Sequence, residues 1–280
     1  MSHKENATNK QKKLTLLQEL WQSRSLIWKL SRNDFKKRYA GSYLGAVWAM
    51  VQPVITVLMY YIVFDKIFQS RSEAVAGDLP IPYVLFLTAG LVPWFYFSEA
   101  LNHGTNALTE YNYLVKKVVF NIRILPVIKV VAASFIHAFF VLVLLIIGAV
   151  YGYMPSLYTL QVIYYSFCMF VLVVALCYTT SAIVVFFKDL SQIIQIVLQI
   201  GMWATPILWN VGKLSPTWQF VIKLNPVAYI VCGYREAVCG TGWFWENWQY
   251  TLYFWGFTIV FLWIGSRIFT KLKPHFADIL

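Results

Sequence analysis

Charge is scarce in this chain, and the little there is comes in clusters. Only 12% of the 280 residues are Asp, Glu, Lys or Arg, against about a quarter in an ordinary soluble domain. Such a surface cannot face water throughout. Twelve acids and four histidines leave little material for acid–base catalysis. The Gly-x4-Gly-Lys-Ser/Thr loop that cradles nucleotide phosphates is missing, since Gly212-Lys213 runs into Leu214 without the upstream glycine. No His-Glu-x-x-His helix and no Cys/His zinc spacing occurs. Nor is there a disulfide framework. Cys168 and Cys177 share one apolar stretch, and Cys232 and Cys239 another. At about 1.5 Å per helical residue, each pair lies beyond the roughly 7 Å reach of a bridge, so buried free thiols are expected.

What is present is apolar: 59% hydrophobic and 18% aromatic residues. A net charge of +11 suggests a nucleic-acid binder only until its distribution is read. After the cluster Lys36-Lys37-Arg38 no charged side chain occurs until Asp65, and Val130 to Phe187 contains none at all. A spanning helix needs roughly 20 apolar residues, so the second stretch holds two spans and a turn. The chain is expected to be an all-α polytopic membrane protein that takes no nucleic acid.

In order, residues 1–13 form a basic tail, and Leu14 to Phe35 places Leu17, Leu20, Trp21, Ile27, Trp28 and Leu30 at helical spacing among Arg24, Lys29, Arg32 and Asp34. That describes an amphipathic helix lying in the membrane interface, so residues 1–35 are separated from a transmembrane domain at 36–270. The first thirty residues carry no early apolar core of the signal-peptide kind. Six spans are expected, at about 42–64, 83–106, 124–151, 159–187, 190–209 and 248–266. Pro53 marks a kink in the first. Residues 211–247 are too interrupted by Pro216, Asn225-Pro226, Gly233, Gly240 and Gly242 for one span, yet too apolar for a free loop. A pair of short re-entrant helices fits. A basic tail, 271–280, closes the chain. Lys and Arg near the span ends put both termini in the cytosol, and the opening cluster marks a cytosolic membrane boundary. Trp21, Trp28, Trp48, Trp94, Trp243, Trp245 and Trp248 fall near expected boundaries, as interfacial anchors.

Ionisable groups inside spans are costly and so informative. Glu99 and His103, four apart, share a face of the second span. They either hydrogen-bond between helices or line a polar translocation path. His137 lies deeper in the third span, while Lys129 sits close enough to the boundary to snorkel. Two candidate ligands do not make a metal site. Collectively the rings, among them Tyr39, Trp48, Tyr60, Trp94, Phe95, Tyr96, Tyr164, Tyr165 and Trp203, suit a path for sugars, whose C–H faces stack on them while hydroxyls find Tyr or Trp donors.

The stretch "RYAGSYLGAVWAMVQP" resembles the start of the permease subunits of ABC-2 type polysaccharide exporters, the O-antigen, capsule and teichoic-acid translocators. The resemblance continues in "GLVPWFYFSEAL", "LVKKVVFNIRILP", "FFKDLSQI", "TPILW", "LNPVAYIVCGYREAVCG" and the closing "KPHFADIL", in register along nearly the whole chain. It implies a homodimer whose channel passes a lipid-linked glycan and which binds two copies of a separate ABC ATPase. ATP and Mg then reside on that partner and no cofactor on this chain, which is not an enzyme. By the same resemblance Glu110, Asn112, Lys116 and Lys117, with Lys188 and Asp189, form the ATPase-coupling elements. Trp209, Asn225, Pro226, Tyr234 and Arg235 form an outer gate, Arg235-Glu236 being alternatively a surface ion pair. A polyprenyl diphosphate headgroup is expected near Lys36, Lys37 or Arg38, with Tyr39, Trp48, Glu99, His103 and His137 along the path. The alternatives are an ABC-2 exporter of a small molecule or drug, a membrane-embedded glycosyl or acyl transferase, and a non-transporting assembly factor.

Overall fold

The computed structural model describes residues 16–38, 45–67, 75–76, 79–116 and 120–280. Among the described residues the regular structure is helical apart from one two-residue antiparallel pairing, β1 (Val75–Ala76) with β2 (Leu79–Pro80). The helices are α1 (Leu16–Gln22), α2 (Arg24–Arg38), α3 (Trp48–Tyr60), α4 (Tyr83–Thr105), α5 (Ala107–Glu110), α6 (Asn112–Val115), α7 (Ile124–Val150), α8 (Gln161–Val184), α9 (Leu190–Ala204), α10 (Pro216–Lys223), α11 (Pro226–Cys239), α12 (Trp248–Leu272) and α13 (Phe276–Ile279). Four helical stretches, Tyr83–Thr105, Ile124–Val150, Leu157–Val184 and Trp248–Ile279, are long and apolar enough to cross a membrane, and Trp48–Phe64 and Leu190–Ala204 are shorter apolar helices.

The central helix is α4, which packs on α7, α8 and α11, while α12 lies against α8 and α2 against α7. Its two faces are closed by neighbours, so even Trp94 in mid-helix is only 5% exposed. This corrects the expectation of Trp94 as an interfacial anchor: its ring meets α9 where Gly201 has no side chain to hold it off. Trp21, Trp28, Trp48, Trp245 and Trp248 are exposed.

Several boundaries shift for identifiable reasons. The fifth apolar helix stops at Ala204 rather than near Trp209, because Thr205, preceding Pro206, is extended (φ −84°, ψ 141°), as a residue before proline must tend to be. The last long helix runs past Ser266 to Leu272, since Phe269 is buried against Tyr178 and Phe276. The basic tail is packed through Phe276, which is fully buried against Phe186 and Phe269. α3 is helical through Pro53, and its hydrogen-bonding pattern changes later, in a π-helical segment at Tyr61–Ile67. Lys36, Lys37 and Arg38 form the last turn of α2 rather than the start of the membrane domain, where cations complement the helix dipole.

The 211–247 region forms two short helices, α10 and α11, as its breakers dictate. Asn225 caps α11, its Oδ1 accepting from the Val227 amide at 3.0 Å, Pro226 takes the first turn where no N–H is needed, and Gly240 ends the helix at φ 69°. α11 packs against α8 so closely that a Cβ on Gly233 would enter the Tyr165 ring. Cys168, Cys177 and Cys239 are buried and Cys232 half-buried, all as free thiols.

Candidate functional site

α2 turns an unusual stripe toward the bundle. Its buried residues are Ile27, Ser31 and Asp34, whereas Trp28 is largely exposed and touches Phe135 edge-on. Ser31 donates to the Ile128 carbonyl at 3.0 Å. One turn on, Asp34 meets Lys129 Nζ of α7 at 2.6 Å and the Tyr111 hydroxyl at 2.7 Å. Lys129 also donates to Glu110, and its ammonium lies 4.8 Å from the centre of the Tyr111 ring. Arg38 pairs with Asp34 at 3.0 Å and with Glu99 of α4 at 3.0 Å. A weaker contact, 4.0 Å, joins Glu110 to His103.

Lys129 therefore does not snorkel. It is 2% exposed, and two carboxylates replace the water it lost. Burial alone would push the Asp34 carboxyl up, but hydrogen bonds from Lys129 and Tyr111 and the Lys129 and Arg38 charges hold it below its ordinary range. Glu110 behaves alike: burial opposes ionisation, yet His103 and Lys129 bring its pKa down to about 2. The Tyr111 phenol moves the other way, raised by burial and by the Asp34 carboxylate it serves.

Beside this cluster a cavity of about 730 Å³ opens between α3, α4 and α9. Its wall combines rings (Trp48, Phe95), amides (Gln52, Asn102, Gln195), the Ser98 hydroxyl and the ionisable pair Glu99 and His103. Cavities of this size hold drug-sized ligands or a few sugar units. The lining offers stacking surface together with neutral and charged hydrogen-bonding groups.

At the other end of the bundle, Arg235 extends from α11 across the break after α9. It donates to the carbonyls of Phe86 at 3.1 Å, Pro206 at 2.6 Å and Ile207 at 2.6 Å, with the Phe86 ring 3.6 Å from its Cζ. The Pro206 and Ile207 carbonyls lie beyond the end of α9, where no helix supplies their partners, and the bond to Phe86 ties them to the first turn of α4. Arg235 is thus a backbone clamp, which corrects the alternative of a surface ion pair with Glu236. Nearby, Asn225 Nδ2 donates to Thr205 Oγ1 at 3.0 Å and Trp209 Nε1 to the Trp203 carbonyl at 3.0 Å. Tyr234 is fully buried, with its hydroxyl 2.9 Å from His137 Nε2 and in contact with Ser166.

The profile of the family described as ABC-2 type transporter matches residues 25–239. The chain belongs to that family. This ABC-2 permease is also similar to the "O-antigen export system permease protein RfbA" of Myxococcus xanthus, 26% identical over 272 residues that cover 95% of this chain and 99% of the relative. A protein of the same description from Klebsiella pneumoniae is 28% identical over 258 residues, 90% of this chain and 93% of its own length. The "Polysialic acid transport protein KpsM" of Escherichia coli is 23% identical over 242 residues, 84% and 89% of the two chains.

The permease fold brings together Arg38, Glu99, His103, Trp48 and Glu110 of the residues singled out in the sequence. Lys36 and Lys37 are exposed on the last turn of α2, Asn112 and Lys116 are exposed on and just after α6, and Lys188 and Asp189 are exposed in the turn between α8 and α9. Tyr39 and Lys117 lie outside the described residues. His137 is apart from the cavity, 7% exposed, and stacked on Tyr96 at 4.5 Å. Asp34 and Tyr111 were missed as site residues. Asp34 had a signal, an acid on the interface helix, as did its partner Lys129, a lysine in an apolar run, whereas Tyr111 had none. Nothing local says that they meet.

Proposed function

We propose that this chain is the transmembrane subunit of an ATP-driven exporter that moves a polyprenyl diphosphate-linked polysaccharide, of O-antigen or teichoic-acid type, across the bacterial cytoplasmic membrane. The observation that carries this reading is the cavity of α3, α4 and α9, in which ring faces and amides stand beside Arg38 and the ionisable pair Glu99–His103. Its chemistry suits a ligand with an anionic head and a sugar body. The full-length similarity to permeases named for O-antigen export supports the same cargo class.

In this reading both termini are cytosolic, six helices span the bilayer, and two copies form the channel with two copies of an ABC ATPase, which holds ATP and Mg. The diphosphate enters from the interface helix near Lys36, Lys37, Arg38 and Tyr39, and the glycan passes Trp48, Glu99 and His103. Glu110, Asn112, Lys116 and Lys117, with Lys188 and Asp189, face the ATPase. Lys129 links Glu110 to Asp34 on the interface helix, so a push on the coupling segment reaches the cavity wall through Arg38. The outer gate comprises Trp209, Asn225, Pro226, Tyr234 and Arg235, of which Asn225 and Arg235 hold α11 to the end of α9. Depletion of the protein in its host, followed by fractionation of lipid-linked glycan, tests the reading. Finished polymer accumulating inside, with loss at the surface, is the expected result. Unchanged surface glycan without internal accumulation, in a host lacking a redundant exporter, would instead favour a small-molecule exporter.

A further inference from the structure

Arg38 is held by two carboxylates of unequal character. Asp34 Oδ2 accepts from Nε at 3.1 Å and lies 3.0 Å from Nη2. Asp34 is itself locked in place, its Oδ1 taking Lys129 and Tyr111. Glu99 meets the guanidinium through Nη1, at 3.0 Å. The Glu99 side chain is 25% exposed against 6% for Asp34, and Glu99 lines the cavity. An anion in that cavity can replace Glu99 on Arg38 and leave the Asp34 side intact. Replacing Asp34 would strip a buried lysine of a partner, which is far more costly. Moreover, Nη2 is buried without an aligned hydrogen-bond acceptor, so the guanidinium has donor capacity to spare. A planar fork of this kind matches phosphate oxygens.

We propose that Glu99 is a stand-in anion: it occupies the phosphate-facing edge of Arg38 and is displaced by a diphosphate in preference to a monophosphate. The inference rests on the cargo reading above and adds the residue that competes with the headgroup for Arg38. Exchanging one carboxylate charge for the larger charge of a diphosphate strengthens the pairing with Arg38. A monophosphate gains less from the same exchange, and a neutral lipid gains nothing.

The test is equilibrium binding of undecaprenyl diphosphate, undecaprenyl monophosphate and undecaprenol to the purified full-length protein in detergent. The wild type should bind the diphosphate about tenfold or more tighter than the monophosphate, the tenfold corresponding to about 1.4 kcal/mol. Glu99→Gln, nearly isosteric, should bind both phosphates about tenfold tighter than the wild type does and leave undecaprenol unchanged. Arg38→Gln should reduce both phosphates to the level of undecaprenol, with or without Glu99→Gln. Should Arg38→Gln fail to stay monodisperse, Arg38→Lys serves in its place: weaker diphosphate binding supports the fork, and unchanged binding counts against it. If the wild type prefers the diphosphate to undecaprenol but Glu99→Gln gains nothing for the monophosphate, the role of Glu99 is overturned and the cargo reading survives. If the wild type does not separate the diphosphate from undecaprenol, the cargo reading falls, and the stand-in with it.

Discussion

Two cations, Lys129 buried and Arg235 half-buried, hold the two ends of the bundle, and they are compensated differently. Lys129, at the end where α2 packs, is met by the carboxylates of Asp34 and Glu110. Arg235, at the other end, is met by the carbonyls of Phe86, Pro206 and Ile207 and by a ring face. Formal charges answer the first and dipoles the second. An end built on carboxylates can be titrated, and its partners come from separate segments that can move apart. An end built on backbone carbonyls does not respond to acid in the same range, and it fixes the shape of a helix break. The contrast suits a mobile coupling side and a stiff gate side, as the proposed mechanism requires.

The most severe way to break the carboxylate end is Lys129→Met. It leaves Asp34 buried opposite Arg38 alone, and losing one partner of a buried pair costs about 3–5 kcal/mol. A large drop in the detergent melting temperature, or no monodisperse protein, is expected. Pairing it with Asp34→Asn should restore part of the loss. At the opposite end Arg235→Met strands the Pro206 and Ile207 carbonyls, each costing about 1–3 kcal/mol if left unsatisfied. Its melting loss should be insensitive to Asp34→Asn, which a double-mutant cycle would read directly.

Packing sharpens the comparison further. Gly233→Ala drives a methyl into the Tyr165 ring and should cost about 1–3 kcal/mol, as overpacking does, without altering the pH response. Tyr111→Phe removes a hydrogen bond to the Asp34 carboxylate, worth about 1.5–3 kcal/mol for a charged acceptor, and, because that bond helps to hold the Asp34 pKa down, should flatten the loss of stability in acid.

The smallest effect is the pH response itself. Asp34 and Glu110 have folded-state pKa values below their ordinary 3.8 and 4.5. Around and below those ordinary values the unfolded chain binds protons that the folded chain refuses, so stability falls as pH falls. For Glu110 the contribution is whole above 4.5 and is lost as pH drops toward about 2. Melting curves recorded from about pH 6, above the ordinary titration range of both carboxylates, downward should show this decline in the wild type. They should show it weakened in Glu110→Gln and unchanged in Gly233→Ala.

Much of the helical layout was readable from local features. The long apolar runs gave α4, α7 and α8 nearly to the residue, and Asn225-Pro226 and Gly240 marked both ends of α11. The misreadings share one cause. Lys129 and Trp94 were judged by distance along the chain from a boundary, yet their surroundings come from α2 and α9, distant in sequence. Likewise the amphipathic reading of α2 located the helix and not its inward face, because a buried Asp is tolerable only when its partners are in place.

Sequence alone determined that this chain enters a membrane as a set of helices, where most of them start and stop, and which family motifs it carries. Those features follow from hydrophobic run length, proline and glycine stereochemistry and capping, all of which act within a few residues. Tertiary structure alone decided that Asp34 meets Lys129, that Arg38 is divided between a buried carboxylate and a partly exposed one, and that Arg235 serves backbone carbonyls rather than an acid. A charge in a low-dielectric interior is governed by whatever lies within a few ångströms of it, and those neighbours are up to 149 residues away along the chain.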